Sequence, residues 1–404
     1  MLPTLDYGTC PHPQVFRQLA DAGPVGRVCL PGGIPVWVIT DQAEGRRALN
    51  DSRLIKDPTR FSSLPGDLGR QRQPEDVTIV LGRQVLNTDA EHHDRLRAVL
   101  APLLSRTSVQ RWQPLAAETA AVLLDRVAAW ERFDLVADFA VPLTSRVLAQ
   151  VLGIPEQPAA RALDLGRTLL GPEHPNEPHM RAALIEFDAL VNQFAEAACE
   201  RDARDRVVPA VMAAADAKIV TMREAVSLVG TAILGSASPP CTLIAVSAAC
   251  VLAQQGLRAS VAAGRAADVV EEVLRFQPPV AFSSWRFAAE DHEIAGTPVA
   301  RGDAVVVLIA AANRDPACVT EGGQMRLDRH PSPAHLSFGH GKHFCLGAPL
   351  ARLMASAALP PLLERLSGQV LLTGIDEIRW HGVLGDRRPL RIDVAQQLPE
   401  RSVS

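Results

Sequence analysis

A lone cysteine stands in the stretch of sequence with the most chemical content, residues 338–347 (FGHGKHFCLG). Three glycines within nine residues let the backbone pass close to a bulky group. A helix is predicted to begin near Gly347, and the free N–H groups at its start favour a thiolate over a thiol at Cys345. The imidazole of His343 can bind an anion. A thiolate, a nearby cation and a loop of close approach suit ligation of a planar metal cofactor.

Two simpler interpretations compete with this one. A GxGK string can belong to a phosphate-binding loop, but the full GxxxxGK[ST] pattern is absent from this stretch. A lone intracellular cysteine is most often an inert buried side chain. Neither accounts for six specified residues occurring together, a coincidence expected with a probability of about 10⁻⁵ in a chain of this length.

Two pairs of charged residues elsewhere have helical spacing. Glu272 and Arg275 lie three positions apart, and His93 and Arg97 lie four apart, so each pair shares one face of a predicted helix. Taken alone, either pair is typical of a solvated helix surface. The two pairs become informative about function only through their positions in the sequence relative to the cysteine loop.

The cysteine loop resembles the haem-binding loop of the cytochrome P-450 superfamily, the haem-thiolate monooxygenases. The resemblance runs from about Pro13 to Val394 and includes the family's ExxR helix, here Glu272 to Arg275. It implies haem b (iron protoporphyrin IX) as the cofactor and Cys345 as the axial thiolate and metal ligand. In the family the ExxR pair locks to an arginine in a later meander, which corresponds to Arg329. The other residues matched to cofactor binding are His93, Arg97, Arg286 and His343 for the haem propionates, and Phe338, Gly339 and Gly347 from the loop.

The sequence departs from the family in the helix expected across the oxygen-binding face of the haem. Residues 225–257 hold no charged residue, whereas family members usually carry an acid and an alcohol there. The best match places Pro239 at the acid position and Pro240 at the alcohol position, and neither can relay a proton. Their missing N–H groups should kink or open the helix. Protons would then come from water, from Ser236 or Ser238, or from a substrate group.

The resemblance predicts a haem-thiolate oxidoreductase, a monooxygenase that tailors a small hydrophobic or natural-product-like molecule. Substrate contacts are expected from residues 57–87, 165–185, 234–240 and 280–284, which are mostly apolar and small. The distal prolines leave open a peroxide-driven, oxidative-coupling, dehydrating or isomerising reaction. Two further alternatives are a haem-binding sensor or carrier without catalysis, and a helical scaffold without a cofactor.

The elements that must position this site are mainly helical. Helical periodicity covers most of residues 88–275 and recurs at 348–366, and hairpins are predicted at 26–40 and 378–394. The uncharged stretch is long enough to span a bilayer, but its prolines and its lack of basic and aromatic flanks favour a helix buried in the core. No repeat or linker divides the chain. We therefore expect a mainly α fold, one cytochrome P-450 domain over residues 1–404, in which a large helical body carries small peripheral β-sheets.

Composition limits the partners and the compartment. The chain has 404 residues, of which 47% are hydrophobic and 21% charged, and a formal net charge of -4. This balance, with Lys and Arg dispersed, argues against nucleic acid and against a membrane surface as partners. The N-terminus lacks the basic start and apolar segment of a signal peptide, and seven cysteines without CxxC pairing fit a reducing cytoplasm. The resemblance to soluble bacterial members adds a ferredoxin and its reductase as electron donors.

Overall fold

The structure is a computed structural model that describes residues 13–30, 34–61, 82–171, 177–198, 205–329, 334–381 and 386–396. Helices form most of this part of the chain. The α-helices are α1 (Pro13–Asp21), α2 (Gln42–Asn50), α3 (Ala90–Leu100), α4 (Arg106–Val109), α5 (Gln113–Ala128), α6 (Val141–Leu152), α7 (Glu156–Leu169), α8 (Pro178–Ala198), α9 (Val207–Asp216), α10 (Met222–Ala237), α11 (Pro239–Ala253), α12 (Gln255–Ala262), α13 (Ala266–Phe276), α14 (Ile309–Ala312) and α15 (Ala348–Arg365).

Twelve short strands accompany the helices in the described part of the chain. They are β1 (Val25–Leu30), β2 (Ile34–Ile39), β3 (Leu54–Ile55), β4 (Arg132–Asp134), β5 (Arg286–Ala288), β6 (His292–Ile294), β7 (Thr297–Val299), β8 (Ala304–Val307), β9 (Gln369–Leu371), β10 (Trp380–His381), β11 (Arg388–Pro389) and β12 (Asp393–Gln396).

The largest core lies among the helices, where α15 packs against α5, α11 and α13. Every residue of α11 from Pro240 to Leu252 is buried, because this helix is apolar on all sides and contacts neighbours all round. By length and apolar composition alone, Leu135–Leu152 and Met222–Ala253 could cross a membrane, but 67% and 78% of these windows are buried inside the protein. The prediction of a buried core helix is therefore confirmed.

Five strands form the largest sheet, in the order β1-β2-β8-β5-β3. The predicted first hairpin is present, with β1 and β2 antiparallel in the register Val25 to Ile39. Strand β8 runs parallel to β2 and antiparallel to β5, where Arg286 is opposite Val305. The second predicted hairpin is also present, because β10 pairs with β11, although residues 382–385 between them lie outside the described part.

The sequence pattern predicted one helix over residues 221–256, and this prediction is wrong in one respect. Helix α10 ends at Ala237 and α11 begins at Pro239, with Ser238 between them at φ -117° and ψ -49°. Two consecutive prolines cannot donate to the carbonyls of Gly235 and Ser236, so the helical hydrogen bonding is interrupted there. The kink expected from the prolines is confirmed, and it divides the helix.

Candidate functional site

The cysteine loop folds back on itself just before α15. The Cys345 N–H donates to the Phe338 carbonyl at 2.9 Å, and the Phe344 N–H donates to the Gly341 carbonyl at 3.0 Å. Gly339 and Gly341 have φ values of 74° and 73°, a left-handed conformation that favours glycine. A Cβ at Gly341 would also lie 3.0 Å from the Leu49 carbonyl oxygen of α2. Glycine is therefore required for the loop to pass this close to α2.

The Cys345 side chain is accessible, and the electrostatic effects on its thiol oppose one another. Desolvation raises the pKa of the thiol, whereas the N–H groups of Gly347 and Ala348 and the charges of Arg97 and Arg352 lower it. The start of α15 thus acts in the predicted direction, but desolvation outweighs it and the protein alone favours the thiol. A metal cation bound to the sulfur would reverse this balance, because a coordinating thiol is deprotonated.

Arg352 of α15 connects the cysteine loop to Glu271 in α13. Its guanidinium lies 4.4 Å from the centre of the Phe338 ring and 2.6 Å from the Glu271 carboxylate. His335 Nε2 lies 3.2 Å from the same carboxylate. Although burial raises the pKa of Glu271, hydrogen bonds from His335 and Arg352 outweigh it and lower the pKa to about 2. Sequence reasoning missed this cluster, since a charged pair spanning 81 positions has no local signal.

The three residues matched to the ExxR lock lie together. Arg275 donates to both oxygens of Glu272 at 2.8 and 2.7 Å, and Arg329 donates to the same carboxylate at 2.8 Å. The Arg275 side chain is only 1% exposed. Its remaining N–H groups donate to backbone carbonyls of the segment before the cysteine loop, at Asn313, Gly322 and Gln324. One buried carboxylate therefore joins α13 to that segment.

A second group of basic side chains lies beside His343 of the loop. The rings of His93 in α3 and His343 in the loop are 4.1 Å apart between centroids. His343 Nδ1 lies 3.2 Å from the Val85 carbonyl, and its Nε2 lies 3.8 Å from Asp89. Burial lowers the pKa of His343 against the opposing effect of Asp89. His93 is 1% exposed, and its Nε2 has no hydrogen-bond partner among the described residues.

Two more buried cations of this group donate to neutral groups. Arg286 donates to the carbonyls of Leu54 and Leu49 at 3.1 and 2.9 Å, and burial lowers its pKa to about 10. Lys56 donates to the Ser284 hydroxyl and to the Trp285 carbonyl. Its pKa falls well below the ordinary lysine value, mainly because of burial and also because Arg286 is near.

The sequence did not identify Lys56 as a residue of this group. A lysine between Ile55 and Asp57 is typical of a surface strand end, so only the fold reveals its burial. Arg97 completes the group: burial lowers its pKa, whereas Cys345 and Asp94 raise it.

The predicted distal residues lie at the break between α10 and α11. Gly235 is exposed and Ser236 and Pro239 are partly exposed, whereas Ser238 and Pro240 are buried. The Ser236 hydroxyl donates to the Ala232 carbonyl at 2.7 Å within its own helix. Ser238 Oγ has no hydrogen-bond partner among the described residues. Of the two serines proposed from the sequence as proton donors, Ser236 therefore uses its hydroxyl within its own helix, whereas Ser238 is buried without such a bond.

Comparison with known proteins identifies the family of this chain. Residues 266–379, which include the Glu272 lock and the cysteine loop, match the cytochrome P-450 family model. Nocardicin C N-oxygenase from Nocardia uniformis subsp. tsuyamanensis is 31% identical over 389 residues, covering 95% of each chain. Mycinamicin IV hydroxylase/epoxidase from Micromonospora griseorubida is 30% identical over 384 residues, covering 94% of each chain. This chain belongs to the cytochrome P-450 family.

The fold agrees with that membership. The structure of the tirandamycin C-bound cytochrome P-450 monooxygenase TamI is similar to it with a TM-score of 0.85 and 27% identity, covering 98% of this chain and 100% of that one. The predicted fold class is confirmed. The chain is a haem-thiolate oxidoreductase that acts on a small molecule, and its relatives favour monooxygenation over the alternative reactions and over a carrier without catalysis.

The cofactor of the family is haem b, and the residues of this chain fit it. An accessible thiol lies at a loop that only glycine allows to pass close to α2. Beside it, buried His93 Nε2 and Arg286 Nε lack hydrogen-bond partners among the described residues. Buried cations that donate to neutral groups are completed by an anionic ligand, and haem b carries two carboxylates.

Proposed function

We propose that Cys345 is the axial ligand of haem b in a monooxygenase that oxidises a small hydrophobic, natural-product-like molecule. The observation that carries this proposal is the geometry of the loop, in which left-handed glycines allow the backbone to pass close to α2 and place Cys345 at the start of α15. Two N–H groups and two guanidinium groups there oppose the rise that desolvation causes in the pKa of the thiol. Phe338, Gly339 and Gly347 would border the cofactor from the loop. The chain as a whole would act as one haem domain.

The cations beside the loop would hold the two propionates. Each lone pair of a carboxylate oxygen accepts a hydrogen bond, so two propionates use several donors. Lys56 adds a buried amine to the set that the family match supplies. Its side chain donates to two neutral oxygens, Arg286 lies near it, and the Asp89 carboxylate opposes the fall in its pKa. The proposed propionate ligands are His93, Arg97, Arg286, His343 and Lys56.

The residues around the cofactor divide the work of the reaction. Haem b, when bound, supplies activation of dioxygen with two electrons and two protons, so that one oxygen atom enters the substrate and the other leaves as water. The Glu272, Arg275 and Arg329 lock and the Arg352 to Phe338 contact would keep the thiolate in place. The exposed face at Gly235, Ser236 and Pro239 would border the substrate. Because a bond to its own helix occupies the Ser236 hydroxyl, Ser238 is the proposed proton donor.

Electrons would come from a ferredoxin and its reductase, and the protein would act in the cytoplasm. The family match supports this choice of partners. Nocardicin C and mycinamicin IV, which the names of two relatives identify as their substrates, supply the first compounds to test.

The ferrous carbonyl spectrum tests the ligand assignment. The wild-type protein should show the thiolate-shifted absorption band, and Cys345→Ser should abolish it because an alcohol does not replace the thiolate donor. Cys318→Ser removes an exposed cysteine outside the loop and should keep the band. A band that persists in Cys345→Ser would show that another residue ligates the iron, and a wild-type protein without the band would overturn the proposed function.

A further inference from the structure

Asp386 is a buried carboxyl group that none of the roles above uses. It lies just before β11 and is 6% exposed. Its backbone bridges to Val280, and the next residue, Arg387, donates its N–H to the Pro279 carbonyl at 2.8 Å. The Arg387 carbonyl accepts from the Thr242 hydroxyl of α11 at 3.0 Å. Asp386 is thus held by the backbone against the first turn of α11, the helix that begins at the break.

Ser238 faces Asp386 from the break itself. Its side chain is fully buried, and its Oγ has no hydrogen-bond partner of good geometry among the described residues. The same holds for Asp386 Oδ1. Thr242 holds the two residues together, since its N–H donates to the Ser238 carbonyl at 3.0 Å and its hydroxyl donates to the Arg387 carbonyl next to Asp386 at 3.0 Å. The nearby Ser238 hydroxyl also lowers the pKa of the Asp386 carboxyl. Each of these two neighbouring buried groups can therefore form a further hydrogen bond.

The surroundings of Asp386 raise the pKa of its carboxyl group toward the working pH. Burial raises its pKa to about 6, against the smaller effects of Ser238 and of Arg388 in β11. From α11, Cys241 faces the carboxyl as a thiol, since burial raises its own pKa to about 12. From α7, Arg167 donates to the Ala237 carbonyl at 3.3 Å. Among the ion pairs of the described residues, none includes Asp386.

We propose that Asp386 and Ser238 together supply the acid and alcohol that the distal helix lacks within its own sequence, an inference that rests on the proposed function. The carboxyl group gives its proton to the Ser238 hydroxyl oxygen while that hydroxyl passes its own proton through the break toward the substrate face. The hydroxyl is thereby restored, and the carboxylate takes up a proton from solvent before the next transfer. No electron moves within the pair.

The break between α10 and α11 makes this arrangement physically reasonable. Without the N–H groups of residues 239 and 240, the carbonyls of Gly235 and Ser236 remain as acceptors beside Ser238. An acid whose pKa lies near the working pH both releases and recovers a proton readily. A buried carboxyl without a salt bridge costs stability, so its presence at the break is better explained by chemistry than by folding.

Infrared spectra of the holoenzyme as a function of pH test the pair without turnover. The wild-type protein should show a band from a protonated buried carboxyl that disappears as the pH rises through about 6. Asp386→Asn should remove the band, and Ser238→Ala should shift it because the neighbouring hydroxyl is lost. Matched controls are Ser247→Ala, a buried unpartnered hydroxyl further along α11, and Asp376→Asn, an exposed carboxyl; both should leave the band unchanged.

Dioxygen consumption driven by NADPH, reductase and ferredoxin tests the transfer itself. Asp386→Asn should slow it about 100-fold, within the range of one general acid, and should remove the fall in rate above about pH 6 that the wild-type protein shows. An Asp386→Asn protein with the wild-type band, or with the wild-type rate and pH profile, overturns the inference. The ferrous carbonyl band of each variant is recorded alongside: its loss from the wild-type protein would count against the proposed function instead.

Discussion

The two sides of the site satisfy their polar groups to very different degrees. On the side of the Glu272 lock, Arg275 makes two hydrogen bonds to a carboxylate and three to backbone carbonyls while almost fully buried. At the helix break, Ser238 Oγ and Asp386 Oδ1 are also buried but have no such bonds in the described part of the chain. The buried charges of the lock are fully paired, whereas the buried polar atoms at the helix break have no hydrogen-bond partners among the described residues.

This difference distinguishes residues that hold the cysteine loop in place from residues that we propose to transfer protons. A paired and hydrogen-bonded buried charge holds a loop in one position, and removing one partner leaves the others uncompensated. An unpaired acid destabilises the fold but keeps a pKa near the working pH. We expect the first side to respond to mutation by losing stability and the second by losing activity while gaining stability.

The largest loss of stability is expected from Glu272→Gln. The amide removes the charge that two arginines share, so the free energy of unfolding should fall by about 3–5 kcal/mol, with the cysteine loop the first part to loosen. Chemical denaturation monitored by haem absorbance measures this free energy of unfolding. Glu186→Gln is the control, because its pair with Arg161 is exposed and screened by solvent, so its loss should change stability far less. Equal effects of the two substitutions would contradict the supporting role of the lock.

An opposite effect is expected from Asp386→Asn. The folded-state pKa of Asp386 is raised from its ordinary 3.8 to about 6, so its stabilising contribution is present at low pH and lost as the pH rises through about 6. At about 1.4 kcal/mol per pKa unit, the asparagine variant should be more stable than the wild-type protein by about 3 kcal/mol near pH 7. The two unfolding free energies should converge in acid. A difference that does not change with pH would show that Asp386 does not titrate in this range.

Lys56→Met should weaken the hold on the cofactor. A hydrogen bond to a charged partner contributes about 1.5–3 kcal/mol, which corresponds to haem loss about 10- to 100-fold faster. Transfer of haem to excess apomyoglobin measures the rate. Lys218→Met, at an exposed lysine, is the control and should lose haem at the wild-type rate. An unchanged rate in Lys56→Met would remove Lys56 from the proposed propionate ligands.

Ser236→Ala should have the smallest effect, within about 0.5 kcal/mol of the wild-type free energy of unfolding. Its hydroxyl donates back to the Ala232 and Ile233 carbonyls of α10, an interaction that adds little to a helix. Thermal unfolding measures the change. A large loss of coupling between dioxygen consumption and product in Ser236→Ala, with none in Ser238→Ala, would reverse the assignment of the two serines.

Sequence reasoning succeeded where the determinants are local. The i and i+3 spacing of Glu272 and Arg275 places both on one face of a helix, and the glycines of the cysteine loop mark a close approach in a few residues. The two prolines likewise predicted an interruption of the distal helix, although not its division into α10 and α11.

It failed where the determinants are distant in the chain. The hairpin predicted over residues 378–394 gives no sign that Asp386 is buried, whereas the next residue, Arg387, accepts a hydrogen bond from Thr242, 145 positions earlier. Lys56 and the Glu271 to Arg352 contact were missed for the same reason. No local pattern distinguishes a buried lysine, or a long-range ion pair, from a solvated one.

Product mass under isotopically heavy dioxygen tests the central functional claim most directly. The wild-type protein with ferredoxin and reductase would receive nocardicin C, mycinamicin IV and an extract of its source cells, with a parallel sample that receives peroxide instead. We expect a product heavier by one oxygen atom that carries the heavy isotope in the reductase-driven sample. A product formed only with peroxide, or one that gains no oxygen, would contradict monooxygenation and identify the distal break as the mark of another reaction.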